Sequence, residues 1–294
     1  MTNITKNNKV IVYADDTTVL VTGRNLTEAK QHCNDILERF YNYFSHNRLS
    51  INPSKTKYIV YKPKFKLQKN FRILNDTSNV KLVMNNTVLE QVKSLKFLGL
   101  IINDKLTWDL HKKHIQTKVN KTLGILYKSK EIMTQYDLIN MYKTFIEPYF
   151  LYGIEVWGHS VNSRTDVINK LQHKALRIVY NCRRTEDAWN HNKGQIQSIK
   201  ELYGKMIHRT CYKHHAKILP THFSQEIMPE IDYYNETRQR KTRSSIHNIF
   251  DYNMRHKNQL TYPFTQSCVT IWNNLPSDEK RLPYRQHWNK IVGI

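Results

Sequence analysis

Two adjacent carboxylates, Asp15 and Asp16, are the residues of this sequence best suited to chemistry. They come directly after Tyr13 and Ala14 and lie between two runs of β-favouring residues, in a chain that is otherwise strongly basic. A divalent cation is the natural counter-charge, because Mg²⁺ is bound by one or two carboxylates together with substrate phosphate oxygens. Adjacent strand residues point to opposite faces, so at most one carboxylate is sure to reach such a metal, and we favour Asp15. An exposed Asp-Asp turn without a ligand is the alternative.

The cysteines offer a weaker metal-binding pattern. The four cysteines are scattered and form no CxxC pair, and this argues against a disulfide framework. Cys211, His214 and His215 have ligand types that suit zinc, but the usual second pair of ligands is missing from this spacing. We therefore favour an ordinary buried cysteine and surface histidines here.

The charge of the chain favours a polyanionic partner. The 294 residues include 46 Lys and Arg against 24 Asp and Glu, a formal net charge of +22. This balance indicates nucleic acid first and an anionic membrane surface second. We find no apolar stretch near the ~18 residues of a membrane span and no signal peptide in the first 20 residues, so we expect no membrane partner and a nuclear or cytoplasmic location. The strongest local basic run, which is compatible with nuclear import, consists of Arg238, Arg240, Lys241 and Arg243.

The elements that position the carboxylates are a hairpin and a helix. The runs 10–14 and 17–21 predict two strands around an Asp15-Asp16 loop. Asn25, with Glu28 three residues later, predicts the start of a helix, and apolar residues then recur at spacings of three and four up to Phe44. The helix should end before Asn52-Pro53, because the residue before proline disfavours helical backbone.

Further strands complete an α+β segment over residues 1–104. The pattern predicts a strand over 57–61 and a second hairpin, 80–84 and 87–92, around Asn85-Asn86. Residues 97–102 predict one buried strand, in which Gly99 leaves room for a close approach to the backbone.

The period becomes helical from His111 onward. Ile115, Val119, Leu123 and Leu126 share one face of the first helix. The opposite face carries three lysines that are either nucleic-acid contacts or a solvated surface: Lys113, Lys121 and Lys128. Two more helices are predicted at about 136–145 and 166–181, and the remainder, 186–294, is mixed and mainly helical.

The sequence resembles a known family at several points in the family's order. The segment 10–21, VIVYADDTTVLV, resembles the active-site hairpin of reverse transcriptases, and the residues after it resemble those of non-LTR retrotransposons of the jockey-like kind. Asn103 stands where the family has an acidic residue, and Lys112 stands where it has an apolar one. The further matching segments are 49–57, 95–102, 106–111, 151–158, 171–178 and 272–276.

The resemblance implies roles for particular residues. Asp15 would be a catalytic ligand of Mg²⁺ with Asp16 beside it, and Tyr13 would pack beneath the primer terminus or the nascent pair. Lys55 would lie where the family assists pyrophosphate departure, although it could also bind phosphate as a point charge or be solvated. The implied partners are an RNA template and a DNA primer, whose primer strand would be supported by Phe97, Leu98 and Gly99; core packing is equally open for Phe97 and Leu98.

The resemblance also implies an organisation in four parts. It predicts an α+β fold with a partial polymerase palm, formed by an antiparallel hairpin and a packed helix, and then a helical thumb. The expected parts are 1–62, the C-terminal part of the palm; 63–110, a connector hairpin and the primer-grip strand; 111–185, the thumb; and 186–294, a basic C-terminal domain.

The family pattern includes a further metal-binding aspartate upstream of the YxDD motif. None of the 14 residues before Asp15 is acidic. We therefore expect a C-terminal part of an RNA-directed DNA polymerase that is inactive alone, with an N-terminal polymerase region as a candidate partner. The alternatives are a non-catalytic nucleic-acid-binding protein derived from such an element, and a chain that does not fold stably.

Overall fold

The computed structural model describes residues 9–61, 81–161 and 165–220, together with residues 267, 268, 270, 272, 274, 275 and 286. The chain divides into two compact units, Met1–Leu110 and His111–Ile294. The first combines a helix with small sheets and the second is helical where it is described. The expected mixture of helix and strand is confirmed at this level, while the palm and thumb assignment stays a prediction.

The described residues of the first unit form one long helix and eight short strands. Their bounds are β1 Lys9–Tyr13, β2 Asp16–Leu20, α1 Leu26–His46, β3 Lys57–Tyr58, β4 Val83–Met84, β5 Thr87–Val88, β6 Glu90–Gln91, β7 Ser94–Phe97 and β8 Leu100–Asn103. β1–β2, β4–β5 and β7–β8 are antiparallel pairs, and β3 pairs in parallel with β6.

Helix α1 begins where its capping residues predict. The Asn25 side chain accepts a hydrogen bond from the Glu28 backbone N–H at 2.8 Å, and the Arg24 N–H donates to the Glu28 carboxylate at 2.8 Å. The first of these bonds satisfies a backbone donor that the first turn leaves unpaired, and the second ties the residue before the cap to the helix. One face of α1, including Cys33 and Leu37, packs on a small core formed by Leu82, Met84 and Leu89.

The second predicted hairpin is confirmed, with shorter strands. Asn85 and Asn86 form its two-residue loop with φ angles of +46° and +60°. Asparagine tolerates this left-handed backbone better than most residues. The strand expected over 57–61 covers only Lys57–Tyr58, and Lys57 pairs with Glu90 of β6 at 2.8 Å.

The prediction of one continuous strand over residues 97–102 is wrong. Phe97 ends β7 and Leu100 begins β8, so the two residues between them form a tight turn. Leu98 has φ +43° and Gly99 has φ +88°. Glycine adopts such angles at no steric cost, and the uninterrupted apolar pattern concealed the reversal of the chain.

The second unit contains six α-helices and two short 3₁₀ segments among its described residues. The helices are α2 Asp109–Ser129, which starts two residues before the unit boundary, α3 Gln135–Phe145, α4 Glu147–Leu151, α5 Ile154–Trp157, α6 Val167–Val179 and α7 Ile199–His215, and the 3₁₀ segments are Gly158–Ser160 and Ala188–His191. The three helices predicted from residue 111 onward are confirmed as α2, α3 and α6.

A buried amide joins three helices of this unit. Helix α3 packs on α4 and α6, and α7 packs on α4, α5 and α6. The Gln172 amide nitrogen donates to the Tyr142 hydroxyl at 2.9 Å and to the Gln197 carbonyl at 2.8 Å, and its oxygen accepts from the Ile199 N–H at 3.1 Å. Because these groups are buried, the bonds fix how α3, α6 and the start of α7 meet.

A glycine allows close packing beside α7. A Cβ on Gly158 would lie 2.6 Å from the Tyr203 ring, so this position requires glycine. The Tyr203 hydroxyl in turn donates to Ser267 at 3.1 Å, and Trp272 is buried with its ring 6.3 Å from that of Tyr212. The described residues near position 270 therefore pack on α7.

No helix in the described ranges is long and apolar enough to cross a membrane.

Candidate functional site

The YADD segment forms the tip of a two-stranded hairpin, β1–β2. Tyr13 pairs with Asp16 across the strands, so the loop consists of Ala14 and Asp15 and not of Asp15 and Asp16 as predicted. The shift of one residue is explained by the backbone of Ala14, whose φ of +52° supplies the positive angle that such a turn requires. Asp15 therefore belongs to the loop, while Asp16 starts β2 on the face that Tyr13 occupies.

Both carboxylates are open to solvent. Asp15 and Asp16 are exposed, and Tyr13 beside them is 65% exposed. Within the described residues, no third Cys, His, Asp or Glu places a ligand atom close enough to form a three-membered group with them. The pair fits the one or two carboxylates that Mg²⁺ takes from a protein, with its other ligands supplied by phosphate oxygens, water or another carboxylate.

Lys55 lies in an exposed turn after the end of α1. The Asn52 carboxamide oxygen accepts from the Ser54 N–H at 3.0 Å and the Ser54 hydroxyl at 2.6 Å, and the Lys55 N–H donates to the Asn52 carbonyl at 3.2 Å. This Asx turn fixes the backbone and leaves the Lys55 side chain in solvent. The function of Lys55 stays a prediction, since no contact between it and the YADD tip is seen in the described part of the chain.

The segment expected to support a primer strand is a hairpin turn. Phe97 is half-buried and Leu98 is 37% exposed, so neither is simple core. Asn103, at the end of β8, is buried and makes two hydrogen bonds of 2.8 Å with Thr107. Its amide nitrogen donates to the Thr107 hydroxyl, and its side-chain oxygen accepts from the Thr107 N–H. These bonds tie the end of β8 to the segment before α2.

The three lysines of α2 occupy the solvent face, as their spacing predicts. Ile115, Val119, Leu123 and Leu126 are buried on the opposite side of the helix. The exposed row consists of Lys113, Lys121 and Lys128. The other predicted basic residues, Arg238, Arg240, Lys241 and Arg243, lie outside the described residues.

Sequence reasoning missed the structural use of Lys112. This lysine is buried, and its Nζ lies 2.7 Å from the Asp166 carboxylate and 2.8 Å from the Ser160 carbonyl. Asp166 also accepts from the Ile168 N–H at 2.9 Å and so caps α6. The sequence feature that could have indicated this ion pair is that Lys112 stands where the family has an apolar residue. A lysine at such a position is buried and needs a partner for its charge.

Cys211 is an ordinary buried cysteine, as favoured from the sequence. Burial, with Cys268 as its neighbour, raises the pKa of the Cys211 thiol, and Cys268 is also buried. Cys211 and His214 belong to no three-ligand group among the described residues. The expected surface position is wrong for His214, which is buried. The side chain of His215 lies outside the described part of the chain.

Comparison with known proteins supports the resemblance in the sequence. The family described as reverse transcriptase (RNA-dependent DNA polymerase) matches residues 1–102. The RNA-directed DNA polymerase from mobile element jockey of Drosophila melanogaster is 26% identical over 175 residues, 58% of this chain and 18% of the relative. The "Probable RNA-directed DNA polymerase from transposon BS" of the same organism is 27% identical over 173 residues, with the same coverage. No solved structure matches the chain.

The first unit is therefore similar to the reverse transcriptase family over residues 1–102. The match ends at residue 102, where β8 closes the hairpin after Gly99. Its relatives are the RNA-directed DNA polymerases of non-LTR mobile elements such as jockey, BS and the X-element, and the chain spans less than a fifth of the length of these relatives.

Proposed function

We propose that this chain carries the YADD metal-binding hairpin and the duplex-binding helices of an RNA-directed DNA polymerase. The observation that carries the proposal is the exposed pair Asp15 and Asp16 at the tip of a β-hairpin, inside the segment that matches the reverse transcriptase family. Nucleotidyl transfer needs carboxylates at such an accessible point, because the metal must also reach substrate phosphates.

In the proposed reaction, the 3′ hydroxyl of a primer attacks the α-phosphorus of a nucleoside triphosphate and pyrophosphate leaves. Asp15, with Asp16 beside it, would hold Mg²⁺, and the bound ion would supply activation of the attacking hydroxyl and stabilisation of the leaving oxygen. Tyr13 shares a face with Asp16 and would support the terminal base pair. A further carboxylate is needed for two metals, and the described residues do not supply it.

The exposed side of α2 is proposed to bind the backbone of the duplex. Lys113, Lys121 and Lys128 project from one exposed side of α2 and can each neutralise a phosphate. Phe97, Leu98 and Gly99 form the turn proposed to support the primer strand. The family match supports nucleic acid as the substrate class, and the net charge of +22 agrees with it.

The test measures binding of a labelled RNA–DNA duplex by fluorescence anisotropy at several salt concentrations. The wild-type chain should bind with an affinity that falls steeply with salt, since lysine contacts release counterions. Replacing Lys113, Lys121 and Lys128 together by alanine should reduce the slope of log K against log salt by about 3. The matched control replaces three other exposed lysines of the second unit, Lys193, Lys200 and Lys217, and should change the slope by less than about 1.

Binding that does not vary with salt, or equal losses in the two triple variants, would contradict the proposed surface.

Primer extension on the RNA template separates catalysis from binding. No incorporation is expected unless a further carboxylate completes the site. Incorporation that disappears in Asp15→Ala would show that the chain completes the site by itself. The non-catalytic alternative, a nucleic-acid-binding protein, is supported if duplex binding persists unchanged in Asp15→Asn and Mg²⁺ has no effect on it.

A further inference from the structure

Three metal-ligating side chains converge in the loop after α6. The Cys182 thiol, a Glu186 carboxylate oxygen and a His191 ring nitrogen all lie within 4.8 Å of one another. This is the one such group among the described residues, and it involves none of the residues proposed for polymerisation. Cys182 is half-buried, whereas Glu186 and His191 are exposed, so the group can be reached from solvent.

The end of α6 fixes the position of Cys182. Asn181 adopts the left-handed backbone with φ +50°, the Asn181 N–H donates to the Ile178 carbonyl, and the Cys182 N–H donates to the Arg177 carbonyl at 3.0 Å. This is the Schellman arrangement, in which the residue two positions beyond the cap closes the last turn. The thiol is therefore held at a set position by the helix that precedes it.

Two short hydrogen-bonded segments bring the other ligands to the thiol. The Arg183 N–H donates to the Glu186 carboxylate at 3.1 Å, and the Glu186 N–H donates to the Arg183 carbonyl at 3.2 Å. His191 ends the 3₁₀ segment Ala188–His191, which the Asp187 side chain caps by accepting from the Trp189 N–H at 3.1 Å. Asp187 also lies 3.1 Å from the His173 ring on α6, which ties this segment to the helix.

The two ends of the loop are joined behind the ligands. The Tyr180 hydroxyl donates to the Asn192 side-chain oxygen at 2.9 Å. The buried Asn192 side chain also pairs with the backbone of Ile196 through bonds of 2.7 and 2.9 Å. The loop between residues 180 and 192 is thus closed by bonds of Tyr180 and Asn192. The Cys182 thiol donates to the Tyr180 carbonyl at 3.7 Å, a bond that the thiolate would give up on binding a cation.

We propose that Cys182, Glu186 and His191 form a zinc-binding site with a fourth position open to water. Thiolate, carboxylate and imidazole are the three protein ligand types that Zn²⁺ binds, and three protein ligands with one water is a recurring coordination. Bonds of about 2.0–2.3 Å place tetrahedral ligand atoms roughly 3.3–3.7 Å apart. The ligand atoms of the three residues lie within 4.8 Å of one another, and rotation of the exposed Glu186 and His191 side chains can bring them to the shorter tetrahedral spacing.

A divalent metal deprotonates a coordinating thiol outright, so Cys182 would bind Zn²⁺ as the thiolate. The bound ion would link the end of α6 to the segment before α7 and stabilise the second unit by mass action.

The experiment uses the full chain, stripped with a chelator and then titrated with Zn²⁺ by calorimetry and with Co²⁺ by absorption spectroscopy. We expect one equivalent of Zn²⁺, and a thiolate-to-cobalt charge-transfer band in the near ultraviolet. Cys182→Ser should abolish the band. Glu186→Gln and His191→Gln alter exposed side chains and should keep the fold, and each should weaken Zn²⁺ binding at least about 10-fold.

Two control variants make the result decisive. Cys33→Ser removes another half-buried thiol and should leave the band and the Zn²⁺ affinity unchanged. Cys211→Ser should do the same. A band that survives Cys182→Ser, a band lost in Cys211→Ser, or no binding of either metal would overturn the proposal. None of these outcomes bears on duplex binding by α2.

Discussion

Ala14 holds a backbone conformation that costs free energy at the centre of the YADD segment. Its φ of +52° lies in the left-handed region, which is unfavourable for residues with a Cβ. The turn nevertheless forms because β1 and β2, the strands that flank it, are joined by five residue pairs. Strain of this kind concentrates at functional sites, so its position beside Asp15 and Asp16 agrees with the role proposed for these residues.

The variant Ala14→Gly should therefore stabilise the chain. Glycine adopts positive φ without a steric penalty, so we expect the free energy of unfolding to rise by about 1 kcal/mol. Urea denaturation measures this as a higher midpoint at an unchanged slope. The matched control is Ala29→Gly within α1, which should lower the free energy of unfolding by about 1 kcal/mol. A loss of stability in Ala14→Gly would show that the Ala14 conformation is not strained.

The buried ion pair of Lys112 and Asp166 acts between elements. It connects the first turn of α2 to the N-terminus of α6 and to the 3₁₀ segment that ends at Ser160. Both side chains are nearly excluded from solvent, with 10% and 13% of their surfaces exposed. Removing one charge from such a pair leaves the other buried without compensation, and this costs more than the pair itself contributes.

Lys112→Met should accordingly lower the free energy of unfolding by about 3–5 kcal/mol. Asp166→Asn keeps an oxygen that can cap α6, so the double variant Lys112→Met/Asp166→Asn should recover part of that loss. Chemical denaturation of the single and double variants measures the coupling between the two residues. Lys113→Met, one residue later on the exposed face, should change stability by less than about 0.5 kcal/mol. Equal effects of Lys112→Met and Lys113→Met would contradict the role assigned to the buried pair.

The elements that the sequence predicts well are those with local signals. Asn25 and Glu28 define the start of α1, and the spacing of Ile115, Val119, Leu123 and Leu126 defines the buried side of α2. The turn at Leu98-Gly99 was missed because an apolar run has the same pattern whether or not the chain reverses within it. The group of Cys182, Glu186 and His191 was missed because its residues lie on a loop, where no helical or strand period indicates which side chains meet.

The whole molecule carries a charge that makes its stability depend on pH. The formal net charge is +22 with all 14 histidines neutral, so acidification adds positive charge and increases self-repulsion.

One histidine, His111, adds a local effect on the pH dependence of stability. His111 is buried with its ring 5.6 Å from that of Trp157, and burial, followed by the nearby His114, lowers the pKa of His111 from 6.5 to about 4.

The depressed pKa of His111 predicts a loss of stability in acid. Between pH 6.5 and about 4 the unfolded chain binds a proton at His111 that the folded chain does not. The free energy of unfolding should fall across this window as the pH is lowered, by up to about 3 kcal/mol from this residue. Burial also lowers the pKa of His159, which contributes in the same direction. Denaturation curves recorded at several pH values measure the total.

Variants and salt separate the local effect from the global one. His111→Phe keeps an aromatic ring against Trp157 and removes the titrating group, so its stability should fall less steeply between pH 6.5 and about 4. High salt screens the repulsion among surface charges but not the desolvation of a buried ring, so the difference between wild type and His111→Phe should persist in salt. If salt abolishes that difference, net charge and not the burial of His111 governs the acid sensitivity of the chain.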